Sequence, residues 1–165
     1  MGDEVVAEKK RECIIAVRVR GTISAPREVR ETLQMLNLKR NNYAVLIDNR
    51  PSFIGMLKTA QNFVTWGEPS KEVVKMLVKE KGRLIGDKKL TDDYVKKFGY
   101  NSLDDLIEEI FNCKVEYWKL PNIKPYFRLH PPSKGFKGKV KKSYQAGGEA
   151  GYRGEAINEL VQRMI

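Results

Sequence analysis

Residues 13–67 switch repeatedly between a period of two and a helical period, and that order narrows the folds open to the chain. "CIIAVRVRG" alternates: Ile15, Val17 and Val19 fall on one side, Arg18 and Arg20 on the other, the mark of a strand with one dry and one basic face. Ser24 or Ala25, followed by Pro26, opens the next stretch, where Val29, Leu33 and Leu36 recur at helical spacing. "SAPREVRETLQMLNL" is therefore predicted as an amphipathic helix ending near Asn37. "NNYAVLID" is a second strand, apolar on both faces at its centre. Pro51 and Ser52 begin a short second helix in "RPSFIGMLKTAQ", and "NFVTWG" is a third strand. Gly55 either admits a neighbouring backbone or is merely tolerated, at about 1 kcal/mol relative to alanine. The order β-α-β-α-β predicts an α+β fold with a small three-stranded sheet. Both helices lie on one face, and the other face presents Arg18 and Arg20.

From Ser70 onward the pattern is helical. Ser70 caps "SKEVVKMLVKEKG", with Val73, Val74, Leu77 and Val78 on one face and Gly82 as a stop. Thr91 caps "TDDYVKKFG", and Ser102 with Asp105 makes a capping-box pattern for "SLDDLIEEIFN". Residues 113–133, rich in prolines and aromatics, read as an extended segment on the surface. The end, "GEAINELVQRMI", returns to a helix with Ile157, Leu160, Val161 and Met164 on one stripe. The expected organisation is a flexible start over 1–12, a core over 13–68, and a helical extension over 69–165 that carries a basic loop at 124–154. Cys13 and Cys113 read as two buried thiols rather than a disulfide.

That loop contains "HPPSKGFKGKVKKSYQAGGEAGYRG", residues 130–154, a stretch with almost no side chain to build a core. Lys124, Arg128, Lys134, Lys137, Lys139, Lys141, Lys142 and Arg153 make eight cations against the single acid Glu149, so residues 124–153 hold +7 of the chain's +10. Tyr126, Phe127, Phe136, Tyr144 and Tyr152 are interleaved with glycines. Lysine and arginine neutralise phosphates and release counterions. Aromatic rings stack on unpaired bases, and glycine lets the backbone pass close to a strand. The combination points to RNA; a solvated basic linker is the plainer alternative, which the return to an amphipathic helix counts against. A membrane is not the partner read here: no apolar run approaches the roughly 20 residues of a span. The start lacks both a signal-peptide order and the Ser/Thr of a myristoylation signal. The expected location is the cytoplasm.

No catalytic constellation stands out. The single histidine, His130, has no second histidine or nearby cysteine with which to hold zinc. Gly-x-Ser-x-Gly and phosphate-loop patterns are missing, and the carboxylates of "LDDLIEEI" and "LTDDY" suit helix starts better than acid–base work. "GFKG" matches the Gly-x-x-Gly loop of the KH module, but it follows prolines and precedes an alternating run instead of joining two helices. No enzyme activity, cofactor, metal or small-molecule substrate is expected.

Specific words then stand out. "VRVRG" leads into "APREVRETLQMLNLKRNNYAVLI"; "RPSFIGML" precedes "NFVTWGE"; "RLHPPSKGFKGKVKKSYQAGGEAGYRG" precedes the last helix. Together they resemble the large-subunit ribosomal protein family called L-thirty in archaea and L-seven in eukaryotes, from about Cys13 to the end. The resemblance implies a β-α-β-α-β core with a small antiparallel sheet, ferredoxin-like in plan, extended by a helical C-terminal part. It implies a structural role on ribosomal RNA, with neighbouring ribosomal proteins as further partners, and leaves open whether 5S RNA is touched. The family word Thr-Pro-Ser-Tyr-basic-Gly-Met reads Arg50-Pro51-Ser52-Phe53-Ile54-Gly55-Met56 here, so a phosphate contact at position 54 is lost and Arg50 offers one. In this reading Lys134, Lys137, Lys139, Lys141, Lys142 and Arg153 neutralise phosphates, with Arg128 beside them. Tyr144, Phe136 and His130 meet bases and sugars, while Arg18, Arg20, Arg27, Lys39, Arg40 and Arg50 form a second patch. A non-ribosomal RNA chaperone shares the charge logic and is the alternative; an RNA-processing enzyme is a third, disfavoured class.

Overall fold

The computed structural model describes residues 12–21, 23 and 25–165, without the side chains of Val140 and Lys141. Except for Glu12, the expected loose start lies outside the described residues, and so does Ser24 as a helix opener.

The period-two and helical stretches form where the patterns place them: β1 (Cys13–Arg18), α1 (Arg27–Met35), β2 (Tyr43–Asp48), α2 (Pro51–Thr59) and β3 (Val64–Gly67). β1 is central. It pairs antiparallel with β2, from Cys13 opposite Asp48 to Val17 opposite Ala44, and with β3, from Ile15 opposite Gly67 to Arg18 opposite Val64. Three more helices follow, α3 (Lys71–Lys81), α4 (Asp92–Lys96) and α5 (Leu103–Phe111); then β4 (Phe127–Arg128), β5 (Lys139–Ser143), β6 (Gly148–Tyr152) and α6 (Ile157–Met164).

The fold is α+β, but the sheet is larger than expected. Its order is β4-β2-β1-β3-β6-β5, and three of its six strands come from the second half of the chain. β4 joins β2 antiparallel, β6 joins β3 in parallel through Thr65 opposite Gly151, and β5 joins β6 through an irregular parallel pairing. A mixed six-stranded sheet does not reproduce a ferredoxin-like plan. Nor is one face left open. Ile14, Ala16, Val45 and Ile47 pack with Leu33 of α1 and Leu57 of α2. On the opposite face Ile15, Val17 and Leu46 pack with Val74 and Leu77 of α3, Leu106 of α5, and Ile157 and Leu160 of α6. All six residues of β1 are therefore buried. The expected basic face does not exist, because the stripes of α3, α5 and α6 need that surface. Each large aliphatic side chain withdrawn from water there contributes roughly 1.5–3 kcal/mol.

The 113–133 segment runs along the surface as expected but also sends side chains into the core. Tyr117 and Phe127 are fully buried, with ring centroids 4.9 Å apart. No disulfide joins Cys13 and Cys113; Cys13 is buried and Cys113 half-buried. Burial pushes the Cys13 thiol well above its ordinary range. Ser70 does cap α3, its hydroxyl accepting the Val73 N–H at 3.3 Å. Thr91 and Ser102 make no such bond. Instead the Asp92 carboxylate accepts the Leu103 N–H at 2.9 Å, since a charged acceptor satisfies a helix N-terminus better than a hydroxyl.

Gly55 turns out to be merely tolerated: a Cβ built there meets nothing within 4 Å. Gly55→Ala is therefore expected to stabilise the fold by about 1 kcal/mol. Thermal unfolding should show this as a rise of about 2–4 °C in Tm.

Candidate nucleic-acid interface

The basic loop is fastened from inside by its one acid. Glu149 on β6 is 4% exposed and Arg153, just beyond that strand, 9%. The Arg153 guanidinium donates to the Glu149 carboxylate at 2.7 Å and to Thr65 Oγ1 at 2.7 Å, and also to the Glu149 carbonyl. The other Glu149 oxygen accepts the Gly138 N–H at 2.8 Å. Thr65 Oγ1 in turn donates to the Gly151 carbonyl at 2.8 Å. Strand β3, strand β6 and the turn at Gly138 are thus joined through one buried ion pair. Neighbouring backbones then pack too closely for side chains. A Cβ on Gly148 would lie 2.1 Å from the Lys142 carbonyl oxygen, and one on Gly67 2.0 Å from that of Gly154. The "GFKG" word runs through turns into β5 rather than between helices, so the KH likeness does not hold.

A second fastening runs to α6. The Ser133 N–H donates to the Arg163 carbonyl at 3.0 Å, Arg163 Nη1 donates to the Gly135 carbonyl at 3.0 Å, and the His130 N–H donates to the Met164 carbonyl at 2.8 Å. Lys134, in a left-handed turn with φ 66°, points into solvent, as do Lys139 and Lys142. None of these three is in an ion pair among the described residues. Lys137 is exposed but paired with Glu159, and Lys124 with Asp87. The carboxylates of Glu159 and Asp87 are held below their usual range, chiefly by the hydrogen bonds from Lys137 and Lys124. The Lys141 side chain lies outside the described residues. His130 is exposed, its Nε2 3.0 Å from Lys81 Nζ. Phe136 is half-buried against the core, so it is not the free stacking ring expected of it. Tyr144 is 41% exposed, and the Arg153 guanidinium stands 4.9 Å from its centroid.

The expected second patch divides. Backbone pairing gathers Arg20, Lys39, Arg40 and Arg128 around the start of β2. The Asn42 N–H donates to the Arg18 carbonyl at 2.9 Å, the Tyr43 N–H donates to that of Arg40 at 3.3 Å, and Arg128 pairs with Tyr43. Lys39, Arg40 and Arg128 are exposed; Arg20 lies over the Phe63 ring at 4.6 Å. Arg18 is buried, donating to the carbonyls of Arg20 at 2.8 Å and Leu38 at 3.0 Å, and burial lowers its pKa. It shapes the turn that displays Lys39 and Arg40 instead of standing on the surface. Arg27, at the far end of α1, pairs with Glu31 at 2.9 Å. Arg50 lies past the opposite end of β2. It is clamped on both oxygens of Asp48 and on Glu116, with the rings of Phe53 and Trp118 at 5.1 and 5.4 Å. The two carboxylates raise its pKa further and take up its Nε and Nη2 donors.

Sequence reasoning missed Glu149 and Thr65 as supports of the interface. The available signal was the isolation of Glu149 in a cationic run, since a lone acid there is best explained by an internal partner. Among the described residues, no group of His, Cys, Asp and Glu side chains could hold a metal ion. No helix of the described residues is long and apolar enough to cross a membrane.

The family profile described as Ribosomal protein L30p/L7e matches residues 14–64, the β-α-β-α-β unit. A protein of Ignicoccus hospitalis named large ribosomal subunit protein uL30 is 51% identical over 153 residues, covering 92% of this chain and 96% of its own length. Proteins of the same name from Methanopyrus kandleri and Caldivirga maquilingensis are 43% and 40% identical. They cover 89% and 99% of this chain, and 100% and 97% of their own lengths.

Proposed function

Because this chain belongs to the ribosomal protein L30p/L7e family, we propose that its outward lysines grip phosphates of large-subunit ribosomal RNA. The chain is a structural constituent of the large ribosomal subunit in the cytoplasm, with ribosomal RNA and neighbouring ribosomal proteins as its partners. The observation that carries the contact assignment is the set of lysines without an ion pair among the described residues: Lys139 and Lys142 on a strand pair fastened by the buried Glu149–Arg153 pair, and Lys134 in the turn before it. Cations on a rigid support lose little conformational entropy on binding, and each phosphate they meet releases counterions.

Lys141 belongs to the same row by sequence. Arg20, Lys39 and Arg40, within a core over 13–68, form a separate contact at the start of β2 together with Arg128 of the extension over 69–165, which also supplies the loop. The fastenings to β3 and α6 favour a loop that is ordered before it meets RNA. RNA turnover is not part of this reading, and 5S RNA is included among the RNA partners to be tested.

The chain is expected to sediment with large subunits and to stay with them through a high-salt wash. An RNA chaperone would instead remain with free RNA and leave the particle as salt rises. Crosslinking in the washed particle should map to residues 134–142; crosslinks to the smaller RNA species would add 5S RNA as a partner.

A further inference from the structure

The basic loop and α6 enclose a cleft of about 690 Å³, within the span of about 300–1,000 Å³ common for small-ligand sites. Its chemistry differs from that of the loop's outer surface. Outside stand lysines without carboxylate partners. Inside, Lys137 is paired with Glu159 and Arg153 with Glu149, while Arg163 donates to the Gly135 carbonyl, so two of the three cations in the wall are compensated by carboxylates. A free phosphate therefore gains less here than on the outer lysines, whose charges no carboxylate offsets. The wall also includes an aromatic ring, Tyr144, the apolar Leu160 of α6, and glycine backbone at 147 and 148.

We propose that this cleft receives one unstacked nucleotide of the ribosomal RNA. The base lies within the cleft on the Tyr144 ring, while its phosphates stay outside on the lysine row. This assignment rests on the ribosomal reading above and adds to it a base-binding subsite. Three features support it. Unpaired RNA bases are recognised by stacking on aromatic rings, and Tyr144 offers one that is 41% exposed and backed by the buried Arg153 guanidinium 4.9 Å from its centroid. The stacking platform is preorganised: Arg153 is held by Glu149 and Thr65, and the Tyr144 carbonyl accepts the Gly147 N–H at 3.1 Å. Gly147, at φ 86°, bears no side chain that would narrow the mouth, and a Cβ there would meet nothing within 4 Å. The Gln145 amide and the Glu159 carboxylate supply hydrogen-bonding groups at the rim for a base edge.

The test uses the isotope-labelled full chain. Adenosine and guanosine monophosphates are titrated against amide and aromatic NMR signals, with inorganic phosphate as the parallel probe. The nucleotides should move the signals of Tyr144, Gln145, Gly147 and Gly148, and inorganic phosphate at the same concentration should not. Tyr144→Ala should weaken nucleotide binding roughly five-fold or more, as expected for loss of one base–aromatic stack. Tyr144→Phe should retain it. Equal shifts from inorganic phosphate would make the cleft an anion site and overturn the proposal. So would a wild-type chain that binds large-subunit RNA with the cleft signals unmoved. A chain that binds no large-subunit RNA at all would instead defeat the ribosomal contact reading, which separates the two failures.

Discussion

Glu149→Ala is expected to destabilise the protein by about 3–5 kcal/mol, the usual consequence of removing one partner from a buried ion pair. The Arg153 guanidinium would remain inside at 9% exposure without its counter-charge, and the Gly138 N–H would lose its acceptor. Urea unfolding should show the loss as a lower midpoint. Proteolysis should cut first within residues 134–147, where both fastenings of the loop converge. RNA affinity should fall as well, although no outward charge has been removed, because the lysine row would have to be ordered on binding. Replacing both partners together, Glu149→Leu with Arg153→Met, should cost less than Glu149→Ala alone, since no uncompensated charge is left buried. A Glu149→Ala midpoint within 1 kcal/mol of wild type would show that the pair does not fasten the loop.

The other large effect concerns salt. Replacing Lys134, Lys139 and Lys142 by alanine should lower the log–log salt slope of binding to large-subunit RNA by about 2–3, at roughly 0.7–0.9 per lost phosphate contact. Affinity at low salt should drop steeply, and the wild-type and variant curves should converge as salt rises. The fold should be unaffected, because none of the three is in an ion pair among the described residues and all are exposed. Arg50→Ala provides the contrast. That guanidinium is spent on Asp48 and Glu116, so its removal should lower stability and leave the slope unchanged. An unaltered slope in the triple variant would remove the loop from the RNA contact.

Much of the fold was legible before any coordinates. β1, α1, β2, α2 and β3 follow from short-range periodicity, and the stripes Val73-Val74-Leu77-Val78 and Ile157-Leu160-Val161-Met164 are buried as their spacing implies. The capping of α5 was not legible, because its acceptor, Asp92, lies eleven residues before Leu103 and belongs to the preceding helix. The core contribution of the 113–133 segment was not legible for a similar reason. Its prolines and aromatics carry no period, yet Tyr117 and Phe127 fill the space that the helices leave on the β1 face.

By itself, then, the sequence determined which stretches become strands and helices and where positive charge accumulates, because both depend on neighbours along the chain. Only the tertiary structure decided how many strands share the sheet, that both its faces are dry, and which cations remain available to RNA. Arg50 meets Glu116 across 66 residues, and Arg153 meets Thr65 across 88. A charge is withdrawn from the surface when burial makes a distant partner worth more than water, and no local pattern records that distance.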